Sequence, residues 1–204
     1  LVKGVERIVN MNWSDIHPPP KGAGRNNYLT AVTEVEGRLV EIIDVEKILA
    51  EVTPLKEDVS ADIIEAAQED ITVQKHVLIV DDSSIARKQI QKVVESLGVK
   101  TTLRKDGREA LEFLNALVES GKDPYHELLL VVSDIEMPEM DGYTFTAEVR
   151  ANLQLCKLHI VLHTSLRGVF NEAMVKKVGA NDFLAKFHPD ELANRVTHRI
   201  SELI

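Results

Sequence analysis

From His76 onward the chain alternates short, apolar runs with longer segments in which apolar residues recur at helical spacing. The runs are VLIV (77–80), a weaker KTTL (100–103), LLLVV (128–132), HIVL (159–162) and DFLA (182–185). Residues 84–97, 108–118, 142–150, 169–178 and 189–204 carry the helical period. Runs that are apolar at every position suit strands covered on both faces, so the alternation predicts a parallel sheet with helices on both sides. The punctuation agrees. Ser84 and Asp106 are placed to cap helices, Gly98 and Gly179 to end them, and Pro189 with Asp190 and Glu191 suits a helical first turn.

Five strands and five helices, strand first, predict an α/β, doubly wound, flavodoxin-like sheet of strand order 2-1-3-4-5 over residues 76–204. In that order strands 1 and 3 lie side by side, and ligand chemistry gathers at their carboxyl ends. Before residue 76 the pattern changes. NYLTAVTEVEGRLVEIIDVEKILAEV reads as two alternating strands, 28–35 and 38–43, joined at Glu36-Gly37 as a hairpin and followed by a short helix. Upstream, GVERIVNMNWSDIHPPP offers a further strand ending in Trp13, then three prolines, Pro18 to Pro20. Three prolines in a loop are usually a rigid connector, the other use being a ligand for a proline-binding domain. KGAGRNN lacks the spacing of a phosphate-binding loop, so Gly22 and Gly24 are turn residues. A hairpin, a strand and a helix bury too little to fold alone, so residues 1–52 read as part of a β-rich domain.

Charge separates the two regions. Residues 1–75 hold 8 Lys+Arg against 14 Asp+Glu, and residues 51–75 alone hold 2 against 7, out of 24 and 33 in the chain. Residues 53–75 therefore read as an acidic, solvated linker, with a helical turn or two around Ile63 to Ala67. No basic stripe is present for a phosphate backbone, which argues against nucleic-acid binding. No apolar run approaches the roughly 18 residues of a spanning helix, so direct membrane insertion is not expected. The single cysteine, Cys156, cannot form an internal disulfide, and no secretory pattern opens the chain at Leu1; the expected location is the cytoplasm.

The candidate chemistry lies where the apolar runs stop. Asp81 and Asp82 follow the first, Asp134 ends the third, Thr164 follows the fourth and Lys186 the fifth. An aspartate after a strand is often only a turn former or cap, but the shared sheet edge gives this set a joint meaning. Three carboxylates that close raise one another's pKa unless a cation compensates them. Mg²⁺, or Mn²⁺ in its place, suits a few carboxylate oxygens plus water and phosphate oxygens. A phosphoryl group on Asp134 would share that ion, with Lys186 supplying positive charge and Thr164 a hydroxyl donor. His163 reads as a space-filler, and no transition-metal site is expected of the seven histidines.

LIVDDSS, SDIEMPEMDG, VLHTS and FLAKF, in that order and spacing, resemble a response-regulator receiver domain across residues 76–204. The resemblance implies Asp134 as phosphoacceptor, Asp81 and Asp82 as the acidic metal-binding pair, and the backbone carbonyl of Glu136 completing the metal shell. It also implies Thr164 as switch hydroxyl, Lys186 as the family lysine, and Phe183 as the aromatic switch position; as a strand residue Phe183 also suits a core. Two features depart from the family. Phe187 follows the lysine where proline is usual, so a trans peptide is expected, and Glu136 puts an acidic side chain two residues past the acceptor. Residues 1–52 are similar to the carboxyl-terminal part of a CheW-like coupling domain, and the whole chain resembles the CheV family of chemotaxis coupling proteins. A fragment is implied, because the amino-terminal half of the coupling domain is absent. Partners implied by the resemblance are a CheA-type histidine kinase and chemoreceptors, placing the protein at receptor arrays as an adaptor rather than a turnover enzyme. The main rival is a haloacid-dehalogenase-like phosphatase with an aspartyl nucleophile. That family puts its nucleophile on the first core strand, whereas Asp81-Asp82 come first here. A DNA-binding response regulator would need an output domain after the receiver, and the sequence given ends at Ile204.

Overall fold

The computed structural model describes residues 9, 12–18, 29–43, 48, 59–68, 75–164, 169–185 and 188–203. Two compact units divide at residue 54. In the first, a 3-10 turn at Trp13–Asp15 leads into β1 (Ile16–His17), which pairs antiparallel with β2 (Leu29–Val35); β2 pairs in turn with β3 (Arg38–Ile43). The hairpin turns at Glu36 and Gly37, with φ of 53° and 72°. Two successive left-handed residues match the strand twist. Most of the strand expected to end in Trp13 lies outside the described residues; Trp13 itself opens a turn, and the described pairing starts at Ile16, where the Asp15 carbonyl accepts from Thr33 Oγ1 at 2.8 Å. Most of the expected following helix lies outside the described residues, as do Pro19, Pro20, Gly22 and Gly24.

The second unit holds α1 (Ala61–Gln68), β4 (His76–Val80), α2 (Ser84–Ser96), β5 (Lys100–Arg104), α3 (Gly107–Glu119) and a one-turn α4 (Pro124–Glu127). It continues with β6 (Leu128–Asp134), α5 (Gly142–Ala151), β7 (Ile160–Thr164), α6 (Val169–Val178), β8 (Asp182–Ala185) and α7 (Pro189–Ser201). All five strands are parallel in the order β5-β4-β6-β7-β8, which is 2-1-3-4-5 as expected. β6 is central and every residue of it is buried, which is why its sequence shows no alternation. Ile90, Val93 and Val94 of α2 and Leu192, Ala193 and Val196 of α7 cover one face of the sheet; Leu114 of α3, Phe145 and Val149 of α5 and Val175 of α6 cover the other. Among the described residues no helix is long and apolar enough to cross a membrane.

Local chemistry sets the helix starts. Asp106, Asp123 and Asp141 cap α3, α4 and α5, each accepting from a backbone N–H two or three residues on. Ser83, not Ser84, caps α2, with its hydroxyl accepting from Ala86 N–H at 3.3 Å; Ser84 is the first helical residue. Gly98 and Gly179 follow α2 and α6 at φ of 77° and 81°. Within the expected linker Ala61 and Asp62 are exposed, while three apolar residues dock. Val59 is buried in the cluster supplied by α2 and α7, and Ile63 and Ile64 of α1 pack against it.

Candidate phosphoacceptor and metal site

Register brings the carboxylates together. Val80 at the end of β4 lies beside Ser133 of β6, so the next residues, Asp81 and Asp134, leave the sheet at the same level. Asp134 in turn pairs with His163 of β7, and Thr164 pairs with Ala185 at the end of β8. One carboxylate oxygen from each of Asp81, Asp82 and Asp134 lies within 4.8 Å of the others. Asp81 and Asp134 are 0% and 2% exposed, while Asp82 is exposed. Two buried like charges this close require compensation, and Asp82 leaves one side of the trio open to solvent. This donor set, hard oxygens with an open side, fits Mg²⁺.

Hydrogen bonds fix the two loops that carry the trio. Asp81 Oδ1 accepts from Ser83 N–H at 2.8 Å, and the Arg87 guanidinium donates to the Asp81 carbonyl. Arg87 therefore holds the Asp81-Asp82 turn from the first turns of α2. On β6, Asp134 Oδ1 accepts from Ile135 N–H at 2.8 Å and the Asp134 carbonyl accepts from Ser133 Oγ at 2.9 Å. The loop then folds back: Gly142 N–H donates to the Ile135 carbonyl at 2.9 Å, and Gly107 N–H donates to the Met140 carbonyl at 3.2 Å. Gly142 sits so close that a Cβ there would stand 2.2 Å from the Asp134 carbonyl oxygen.

Of the residues expected at the site, the structure brings Asp81, Asp82 and Asp134 together. Thr164 is buried at the end of the neighbouring strand. The Glu136 side chain is exposed. Burial, together with the Glu136 and Asp141 carboxylates, pushes the Tyr143 hydroxyl above its usual range. Phe183 pairs with Leu162 and packs, half-buried, on the α3–α5–α6 side of the core. Lys186 and Phe187, and with them the expected trans peptide, lie outside the described residues. His163 is 5% exposed inside β7. His159 stands four residues before it, a spacing that would join two metal ligands on a helix; along an extended chain it separates them by roughly 13 Å. Arg87 had not been singled out from sequence, and Gly142 had entered only as the last residue of SDIEMPEMDG, without its close approach to Asp134. Only Gly142 carried a signal, as a glycine opening a helix directly after a capping aspartate.

Residues 77–197 match the response regulator receiver domain family, and residues 1–53 match the CheW-like domain family. Chemotaxis protein CheV1 of Helicobacter pylori is 31% identical over 202 residues, 97% of this chain and 61% of that protein. CheV2 of the same organism is 30% identical over 184 residues, 89% of this chain and 57% of its own length. The chain thus spans about three fifths of these relatives. A solved structure of Vibrio cholerae chemotaxis protein CheY4 superposes with a TM-score of 0.51 at 29% identity, covering 62% of this chain and 98% of that one.

Proposed function

The chain belongs to the response regulator receiver domain family, and from that premise we propose that it is a chemotaxis signalling adaptor that takes a phosphoryl group onto Asp134. The observation that carries this is the carboxylate trio: three ligand oxygens within 4.8 Å, two of them on residues buried at adjacent strand ends. In the proposed reaction an Asp134 carboxylate oxygen attacks the phosphorus of a kinase phosphohistidine. The new O–P bond forms as the P–N bond breaks, and the electron pair leaves with the imidazole. Asp81, Asp82 and Asp134, with the Glu136 carbonyl, would hold Mg²⁺ or Mn²⁺, which when bound neutralises charge on the phosphoryl oxygens. Thr164 donates its hydroxyl to the phosphoryl group and Lys186 supplies a second positive charge. Thr164 and Phe183 then form the switch that registers the modification.

The amino-terminal CheW-like match supports contacts with a CheA-type histidine kinase and with chemoreceptors, at receptor arrays on the cytoplasmic side. In that setting the receiver regulates coupling rather than turning over a substrate. The phosphatase alternative finds no support, since the matched family is the receiver and the acidic pair precedes the acceptor in the chain.

The test is to incubate the chain with Mg²⁺ and acetyl phosphate and follow its mass. One base-labile, hydroxylamine-sensitive phosphoryl group is expected, absent from Asp134→Asn. Labelling that persists in that variant refutes the acceptor assignment, and rapid turnover of phosphomonoesters would restore the phosphatase reading. Co-sedimentation with receptor membranes and kinase tests the adaptor role; a chain with a complete coupling domain that stays in the supernatant refutes it.

A further inference from the structure

The segment that leads into the receiver sheet is clamped at one residue. Ser60 donates from its backbone N–H to Asp190 Oδ1 at 2.8 Å and from its hydroxyl to Asp190 Oδ2 at 2.9 Å. Both oxygens of one carboxylate are therefore engaged by one serine. Asp190 stands in the first turn of α7, directly after Pro189. Ser60 stands at the start of α1, where its carbonyl accepts from Ile63 and Ile64 N–H. The carboxylate thus faces the amino-terminal ends of two helices, each with N–H groups that lack intrahelical partners and a partial positive charge that favours an anion. Apolar contacts flank the clamp: Val59 on one side is 8% exposed, and Ile63 and Ile64 on the other pack against the same core cluster. The pair is partly buried, and partial shielding from water strengthens a charge-assisted pair.

The anchor of this clamp is close in sequence to the reaction centre. β8 ends at Ala185 and α7 starts at Pro189, so Lys186 and Asp190 are four residues apart across a three-residue connection. We propose that α1 is a latch on the receiver: the Ser60–Asp190 pair holds α1 against α7 while Asp134 is unmodified, and loading Asp134 loosens it. The cause is mechanical. Lys186, proposed above to supply charge to the phosphoryl group, precedes Asp190 by four residues in the sequence, so loading that engages Lys186 acts on the first turn of α7 that carries Asp190. This rests on the reading of Asp134 as phosphoacceptor. It makes the receiver's own leader segment the element that passes its state toward the preceding residues, with the α7 surface as the docking site. Coupling of this kind is reciprocal, so weakening the clamp must favour the loaded state.

Hydrogen exchange on the full chain, read by mass spectrometry with and without Mg²⁺ and beryllium fluoride, tests the latch. Loading of Asp134 is followed independently by the ¹⁹F resonance of the bound fluoride. Amides of residues 63–68 are expected to exchange about tenfold faster or more when Asp134 is loaded. Ser60→Ala and Asp190→Asn should give the same rise in the unloaded chain and tighten beryllium fluoride binding about fivefold. A bound fluoride signal with unchanged exchange at 63–68 refutes the latch and leaves the acceptor standing. Unchanged exchange in Ser60→Ala refutes the clamp itself. Absence of any bound fluoride refutes the acceptor reading, and the latch with it.

Discussion

Replacing Gly142 with alanine should damage both the stability of the receiver and its chemistry. In an open helix the change would help, because alanine is favoured over glycine by roughly 1 kcal/mol. Here the added Cβ would lie 2.2 Å from the Asp134 carbonyl oxygen, 3.0 Å from Ile135 Cα and 3.1 Å from the Asp134 carbonyl carbon. The shortest of these falls about 1.2 Å below the 3.4 Å at which ordinary contact begins, and the atoms it meets are main chain. No rotamer can relieve it. Either α5 or the end of β6 must move, and forced overpacking of this kind costs about 1–3 kcal/mol, enough to cancel the helical gain and leave a net loss of up to about 2 kcal/mol. Because the atom displaced belongs to the acceptor, a shift of about 1 Å should slow phosphoryl transfer about a hundredfold. Urea unfolding gives the first quantity and the initial rate of labelling by acetyl phosphate the second. Gly121→Ala is the control: at φ 79° and with nothing within 4 Å of its Cβ, it should cost about 1–2 kcal/mol of backbone strain and leave labelling unchanged. A Gly142→Ala chain as stable as the parent and labelled at the parent rate would refute the close-approach reasoning.

Asp106→Ala removes the cap that accepts from Glu109 N–H at 2.8 Å and should lower stability by about 1 kcal/mol in urea unfolding, without affecting Mg²⁺ binding. His159 is held below its unfolded value of 6.5 by burial first and by Arg199 next, so its contribution to stability is present above pH 6.5 and lost as the pH falls through the lower folded value. Comparing urea midpoints at pH 7.5 and 5.5, His159→Gln should lose less than the parent; an equal loss refutes this assignment. Removing Mg²⁺ with EDTA should abolish labelling of Asp134 while far-UV circular dichroism stays unchanged, separating the metal's chemical role from any role in folding.

The receiver was legible because its central strands carry continuous apolar runs and most of its helix starts are written in short polar residues. Both signals are local. Strand order, and hence the meeting of Asp81-Asp82 with Asp134, then followed from handedness and from the switch-point rule rather than from any one residue. Ser83 and Ser84 could not be separated as caps, since either can supply the hydroxyl and only the backbone direction chooses. Arg87 was invisible as a site residue because its use is a bond to a main-chain carbonyl, which leaves no trace in residue type. The docking of Val59, Ile63 and Ile64 was hidden for a similar reason. The seven acidic residues between 51 and 75 dominate the local charge, while the apolar residues that dock, Val59, Ile63 and Ile64, are too few to announce a buried face. In residues 1–52 the Glu36-Gly37 turn was readable from its dipeptide, and little else in that stretch carried a comparably strong local signal.

The burial of Val59 and the packing of Ile63 and Ile64 move the seam at which this protein can be divided. A graft cut at the first residue of the sheet, His76, would leave three apolar side chains behind and take Asp190 away without Ser60. A graft that starts ahead of Val59 carries its own lid. The portable module is therefore longer than the sheet that performs the chemistry, and any exchange of receivers between coupling proteins, by recombination or by design, is tolerated best when the leader travels with its receiver.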